Sequence, residues 1–363
     1  MHSFQNLCKP RAPAVGVEQR VRATMAHCIG EDLIDTRIPL TVLTGFLGSG
    51  KTTLLNRMVR DPAYVDAAVV INEFGEIGVD HHLVRGVQGR IALVEGGCIC
   101  CTASGGVADA LRDLFMAAVR RQLRPFRHVL VETTGLAGPA PLMFTLRHDA
   151  FLAERYVYRG TIAVADAQHF PGQMQVQPEA VQQVALADVV AISKADLCSC
   201  EQVERARAAV LGINPGAIVS VLQSGAGLDA SLLDARREGG QDAPGQQARW
   251  LGAYAKRSSA AHAGVSHAVL DLSRRMARPV FLAGIDALQA RYGEALLRVK
   301  GVVQFAGEAE PCAVHGVHRQ LYPLEPLPQA DGLDAPPSRL VFILRGVQAQ
   351  DFLPQAARLL GQD

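Results

Sequence analysis

The stretch GFLGSGKTT, Gly45 to Thr53, constrains this chain more than any other feature. It follows IPLTVLT, an apolar, β-branched run that reads as a buried strand, and it leads into a helical stretch from Gly50 to Arg60. The pattern GxxxxGK[ST] is met by Gly45, Gly50, Lys51 and Thr52. Glycines let a backbone curl until its amides face one anion, and a helix starting there adds its positive dipole end. The expected ligand is a nucleotide phosphate. Gly45, Phe46, Leu47, Gly48, Ser49, Gly50, Lys51, Thr52 and Thr53 would form the binding loop. Lys51 would reach the β- and γ-phosphates, and the Thr52 hydroxyl would ligate Mg²⁺. A glycine-rich turn that happens to precede Lys-Thr is the alternative, and the strand-loop-helix context weighs against it.

The same alternation continues. AAVVI (Ala67 to Ile71), Arg90 to Val94, His128 to Val131, Thr161 to Ala165 and Asp188 to Ile192 read as further strands with helical stretches among them. Such βαβ units build a mostly parallel sheet with helices on both faces, an α/β fold whose ligand sites lie at the carboxyl ends of the strands. NEFGE, CICC, ETTG and SKAD all fall at such ends. The polar stretch REGGQDAPGQQAR reads as a linker. Beyond it HAVLDL, LLRVKGVVQF, AVHGVHRQLY and RLVFILR read as strands, with helices at Ile285 to Tyr292 and Gln350 to Leu360. The expected organisation is an extension over 1–36 that is disordered, a nucleotide domain over 37–235, a linker over 236–264 and a smaller C-terminal α+β domain over 265–363.

HVLVETTG has the form of a Walker B strand joined to a DxxG switch, with Glu132 in place of Asp. Glu132 is expected to hold Mg²⁺ through water, and the Gly135 amide to sense the γ-phosphate. Lys51, Thr52, Glu132 and Gly135 are thus the candidate catalytic residues. SKAD, Ser193 to Asp196, supplies a base reader. Guanine offers two donors, N1–H and the N2 amino group, and the Asp196 carboxylate can accept both, with the stem of Lys194 against the base. GTPases more often carry Asn where this chain has Ser193, so the hydrogen bond that braces this loop is expected to be absent or weaker. An ordinary helix-capping segment is the alternative.

Cys98, Cys100 and Cys101 place three thiols within four positions. Neighbouring cysteines do not make a disulfide framework, so a reducing, cytoplasmic setting and a soft metal are expected. Zinc, Cu(I) and cobalt all suit thiolates. A fourth ligand is needed, with Glu73 and Glu76 of NEFGE, or His81 and His82 after it, as candidates. Cys198 and Cys200 read as helix-start residues; Cys8, Cys28 and Cys312 receive no role; His262 and His267 lie in the linker region as weak metal candidates at most. With a formal net charge of +1, no basic stripe points to nucleic acid. No apolar run is long enough to span a membrane.

GFLGSGKTT, NEFGEIGVD, GGCICCT, ETTGLAGP and SKAD, in this order, resemble the CobW family of GTPases, and LLRVKG and AVHGVH resemble that family's C-terminal domain. The resemblance runs from about Ile38 to near the end. It implies a GTPase related to the nickel-insertion GTPases of urease and hydrogenase. It implies GTP-dependent delivery of zinc, or in some members cobalt, to client metalloproteins; GTP and Mg²⁺ are the expected cofactors, and the client is expected to dock on the C-terminal domain. A homodimer is left open. The chain departs from the family in having ASGGV after CICCT and in lacking a long histidine-rich tract. A nucleotide-gated binding protein with structural zinc is the first rival, cobalt delivery in cobalamin synthesis or to a cobalt enzyme another, and an ATP-dependent kinase lacks a visible acceptor pocket or lid. With no evident arginine finger or water-positioning Gln, intrinsic turnover is expected to be slow.

Overall fold

The computed structural model describes residues 36–72, 91–94, 106–223, 225, 227–229, 231–234, 264–327 and 338–362. The expectations for residues 1–35 and for most of the linker lie outside the described residues. Seven parallel strands form the first sheet, in the order β3-β2-β4-β1-β5-β6-β7. They are β1 (Ile38–Gly45), β2 (Ala67–Asn72), β3 (Ile91–Val94), β4 (His128–Glu132), β5 (Tyr156–Asp166), β6 (Val189–Ser193) and β7 (Ile218–Val221). β7 is an addition to the strands expected from the sequence, and β5 is longer than expected. The edge position and partial exposure of β7 blur the apolar signature by which a buried strand is read.

Helix α1 (Lys51–Met58) buries Lys51, Leu54, Leu55 and Met58, the i, i+3, i+4, i+7 spacing of one helical face. Its leucines and methionine pack with Leu43, Val69, Leu130 and Ile162 on one side of the sheet. On the other side Leu40, Val42, Ala68, Val70, Val129 and Val131 meet α2 (Gly106–Val119) and α3 (Ala140–His148) through Val107, Leu111 and Leu142. Alternate residues of the same strands therefore serve two cores, as a sheet covered on both faces requires. Helices α4 (Ala150–Arg155), α5 (Phe170–Val176), α6 (Pro178–Leu186), α7 (Cys200–Ile213) and the short α8 (Ser231–Asp234) complete this part.

The second sheet is antiparallel. Its strands are β8 (Val265–Asp271), β9 (Leu296–Val303), β10 (Cys312–Val317), β11 (Gln320–Leu321), β12 (Glu325–Pro326) and β13 (Arg339–Arg345). Their order is β11-β10-β9-β13-β8, with β12 paired to β10. Helices α9 (Arg278–Tyr292) and α10 (Ala349–Leu359) cover it through Phe281, Ile285, Leu288 and Phe352. Two expectations are corrected here. AVHGVHRQLY is a hairpin rather than one strand, because the chain reverses at His318, whose φ is 48°. The helix expected from Ile285 begins at Arg278, with a proline in its first turn, where a missing N–H costs nothing.

The two sheets are tied by charge. Asp188, fully buried just before β6, accepts hydrogen bonds from Arg298 and, at 3.1 Å, from Lys300, both on β9. Arg298 also donates to the carbonyls of Ala185 and Ala187, at the C-terminal end of α6. Helix ends leave such carbonyls without partners inside the helix, and the guanidinium shares their capping with Asn214 Nδ2, which donates to the same two carbonyls and to that of Val184. His267, expected in the linker, stands in β8, and its Nε2 donates to the Ile213 carbonyl at 2.9 Å.

Candidate functional site

The loop between β1 and α1 lies where the strand order reverses, between β4 and β5, which is the expected ligand position in an open α/β sheet. It turns through Gly48 and Gly50, with φ of 70° and 94°, a region that side chains rarely tolerate. Gly50 is the N-cap of α1, so the amide end of that helix opens onto the loop. Lys51 Nζ is folded back onto the Phe46 carbonyl at 3.2 Å, which holds the ammonium over the loop. Phe46 packs against the core beneath α5 and α6, whereas Leu47 is 54% exposed at the loop's mouth.

Glu132 ends β4 beside this loop. The Thr52 hydroxyl donates to Glu132 Oε1 at 2.8 Å, so residues 80 apart in the chain place a hydroxyl and a buried carboxylate together. Hard oxygen donors at a phosphate loop suit Mg²⁺. Gly135 lies flat against Leu47: a Cβ there would meet the Leu47 side chain at 2.5 Å and its backbone nitrogen at 2.8 Å. Only glycine permits that approach, which puts the ETTG turn in direct contact with the phosphate loop.

Ser193 closes β6, and its Oγ donates to the Ser49 carbonyl at 2.6 Å. The bracing bond, expected to be absent or weaker, is present: serine makes it from the end of β6. The capping alternative for SKAD is also removed. The cap of α7 is Ser199, in a reciprocal capping box with Gln202, and Cys200 is the first helical residue. Lys194 has φ 57°, and its Nζ donates to Asp166 Oδ2 at 2.7 Å. Asp196, in the following turn, is exposed and open to a base.

Asp166 is a site residue that sequence reasoning missed. It ends β5 just as Glu132 ends β4, and an acid closing an apolar strand is the signal that would have found it. Burial opposes its charge, but hydrogen bonds from Lys194, His169 and the Gln168 amide outweigh burial and hold the carboxyl below its ordinary value. A depressed carboxyl stabilises the fold above the unfolded value of 3.8 and loses that contribution as pH falls through the lowered one. The stability advantage of wild type over Asp166→Asn is expected to be the same at pH 7 and pH 5 and to shrink at pH 3. Urea unfolding of both proteins at the three pH values measures it, and an advantage that persists at pH 3 contradicts the ion-pair account.

The metal candidates Cys98, Cys100, Cys101, Glu73 and Glu76, together with His81 and His82, lie outside the described residues. Among the described residues no group of three or more His, Cys, Asp or Glu is placed to hold a metal ion. The strands that lead to the two motifs are adjacent: Asn72, ending β2, and Val94, ending β3, are register partners.

A parallel sheet with a glycine-rich loop at its switch point, a helix amide end on that loop and a hydroxyl-carboxylate pair beside it is the P-loop nucleotide-binding fold. A family model described as the CobW/HypB/UreG nucleotide-binding domain matches residues 39–221. A second, the cobalamin synthesis protein cobW C-terminal domain, matches residues 265–356. The chain belongs to the CobW/HypB/UreG family. It is 36% identical over 196 residues to a zinc chaperone of Escherichia coli, YjiA, a match covering 54% of this chain and 60% of that protein. To the zinc chaperone CobW of Pseudomonas aeruginosa it is 31% identical over 228 residues, covering 54% of this chain and 59% of the relative. The matched stretch thus spans about three-fifths of these relatives. The crystal structure of Zn(II)-bound YjiA GTPase from E. coli shares the fold, with a TM-score of 0.61 at 24% identity over 89% of this chain and 99% of that one. No helix among the described residues is long and apolar enough to cross a membrane.

Proposed function

We propose that this chain hydrolyses GTP and uses the cycle to bind zinc and pass it to a client metalloprotein. What supports the reading is the order of the strand ends at one edge of the sheet. Glu132 is the register partner of Ile71, the residue before β2 ends, and Asn72 is in turn the partner of Val94. The ends of β2 and β3, the strands that precede NEFGE and CICC in the chain, therefore lie side by side, with β2 next to the Glu132 end of β4. The names of the relatives, zinc chaperones, favour zinc as the cargo.

In this reading the loop Gly45–Thr53 holds the phosphates, and Thr52 and Glu132 serve Mg²⁺, which would neutralise charge on the transferred phosphoryl group. Asp196 reads guanine with Lys194 and Ser193 shaping its loop, and Cys98, Cys100 and Cys101 bind the cargo with Glu73 or Glu76. The part at 37–235 is the motor, and the part at 265–363 is the surface for the client. Metal release by hydrolysis needs different metal affinity in the two nucleotide states. Zinc titration with a non-hydrolysable GTP analogue, with GDP and without nucleotide is expected to give dissociation constants differing by about tenfold or more between the two states, about 1.4 kcal/mol of coupling. Cys100→Ser is expected to abolish tight binding in all three. Equal zinc affinity with GTP analogue and GDP overturns the cycle, and a zinc that does not exchange in either state favours a structural metal. Cobalt titrated alongside decides between the two cargoes.

A further inference from the structure

Gln183, on α6, is 1% exposed, and nothing in the site as derived so far uses it. Its Nε2 donates at 3.1 Å to the carbonyl of Gly135 and at 3.1 Å to the carbonyl of Ala137. One amide thus grips both ends of the turn that follows ETT. Both partners are carbonyls, which only accept, so the orientation of the amide is unambiguous. Thr44, at the start of the phosphate loop, also donates to the Ala137 carbonyl, at 3.3 Å. Gln182, the preceding residue, stands against the next glycine of the turn: a Cβ on Gly138 would lie 3.4 Å from its Cδ. The turn cannot move without breaking both bonds to Gln183 or carrying α6 with it.

Helix α6 is itself held from the second sheet. Arg298 caps its C-terminal carbonyls, and Gln182 Nε2 lies 2.9 Å from Nε2 of His318, at the β10–β11 reversal. The Oε1 of Gln183 is buried and makes no hydrogen bond among the described residues.

We propose that Gln183 is a positioning residue for GTP turnover: from α6, which Arg298 and His318 anchor to the C-terminal sheet, it sets the Gly135–Gly138 turn against the phosphate loop. The proposal rests on the GTP-hydrolysing reading above. Gln183→Met keeps the side chain's length and burial but removes the donor. The turnover number for GTP is expected to fall about tenfold or more, because misplacing a group near the reacting phosphate is costly. The affinity for GDP, which needs the phosphate loop but no γ-phosphate contact, is expected to stay within about twofold. A turnover number unchanged in the folded variant overturns the proposal, as does an equal loss of turnover and GDP affinity, the mark of a merely structural residue.

Hydrogen exchange on the wild-type chain supplies a second measurement if Gln183→Met does not fold. Replacing GDP by a non-hydrolysable GTP analogue is expected to change protection in 133–139 and in 178–187 together. A change confined to the turn, or none in either segment, overturns the link. Wild-type protein that binds GTP without hydrolysing it would defeat the hydrolytic reading instead, and the exchange result would still decide whether the turn and α6 move together.

Discussion

Asp188→Ala is expected to cost about 3–5 kcal/mol of stability, the usual consequence of removing one partner from a buried charge pair. The carboxylate is fully buried and accepts from Arg298, from Lys300, from the Tyr158 hydroxyl at 3.1 Å and from the Thr161 amide at 2.9 Å. Burial, then the Asp188 charge, drives the Tyr158 hydroxyl's pKa well above its ordinary value, so the phenol stays protonated and donates. Alanine would leave Arg298 and Lys300, 3% and 11% exposed at their side chains, without the anion that offsets their burial. The cost arises from the stranded cations rather than from a large net worth of the pair. Urea unfolding measures it, and a loss below about 1 kcal/mol would mean that water reaches the cations and that the tie is a surface-like pair. The same variant should loosen the C-terminal sheet from α6, because Arg298 serves both Asp188 and the helix carbonyls.

Lys51→Met is expected to reduce the turnover of GTP at least about 100-fold, the scale of losing one charge-stabilising donor at a reacting centre. Lys51 is 9% exposed, and its ammonium is held over the loop by the Phe46 carbonyl. A preplaced cation spends no reorganisation energy when charge develops on the phosphate, which is why its removal should strike turnover. The aliphatic stem is part of the buried face of α1, and methionine preserves that packing. Steady-state phosphate release, with thermal unfolding as the control for folding, is the measurement. Turnover within about tenfold of wild type would place the charge-stabilising donor elsewhere.

How much of this was legible in the sequence depends on how local each feature is. The phosphate loop is contiguous, and the glycine spacing that curls it is the spacing that can be read. The strand-end acid Glu132 and the SKAD turn were legible as candidates for a similar reason. Their partners were not, because those lie far along the chain: Thr52 meets Glu132 across 80 residues, Ser193 meets Ser49 across 144 and Gln183 meets Gly135 across 48. Ser193 is instructive. By residue type it looked like a weakened version of asparagine, and only the fold shows its hydroxyl bonded to the Ser49 carbonyl.

The amino-acid order by itself determined the parallel sheet, the position of the phosphate loop in it and the glycine pattern at its carboxyl edge. Each of those is written in a local pattern of apolar residues, glycines and ligand types. The tertiary structure alone decided what stands behind the loop. Gln183 under the Gly135–Gly138 turn and Arg298 on the end of α6 are set by strand order and by the docking of a second sheet. No periodicity or motif encodes them, because a buried glutamine or arginine has the same letter as an exposed one until the chain folds around it.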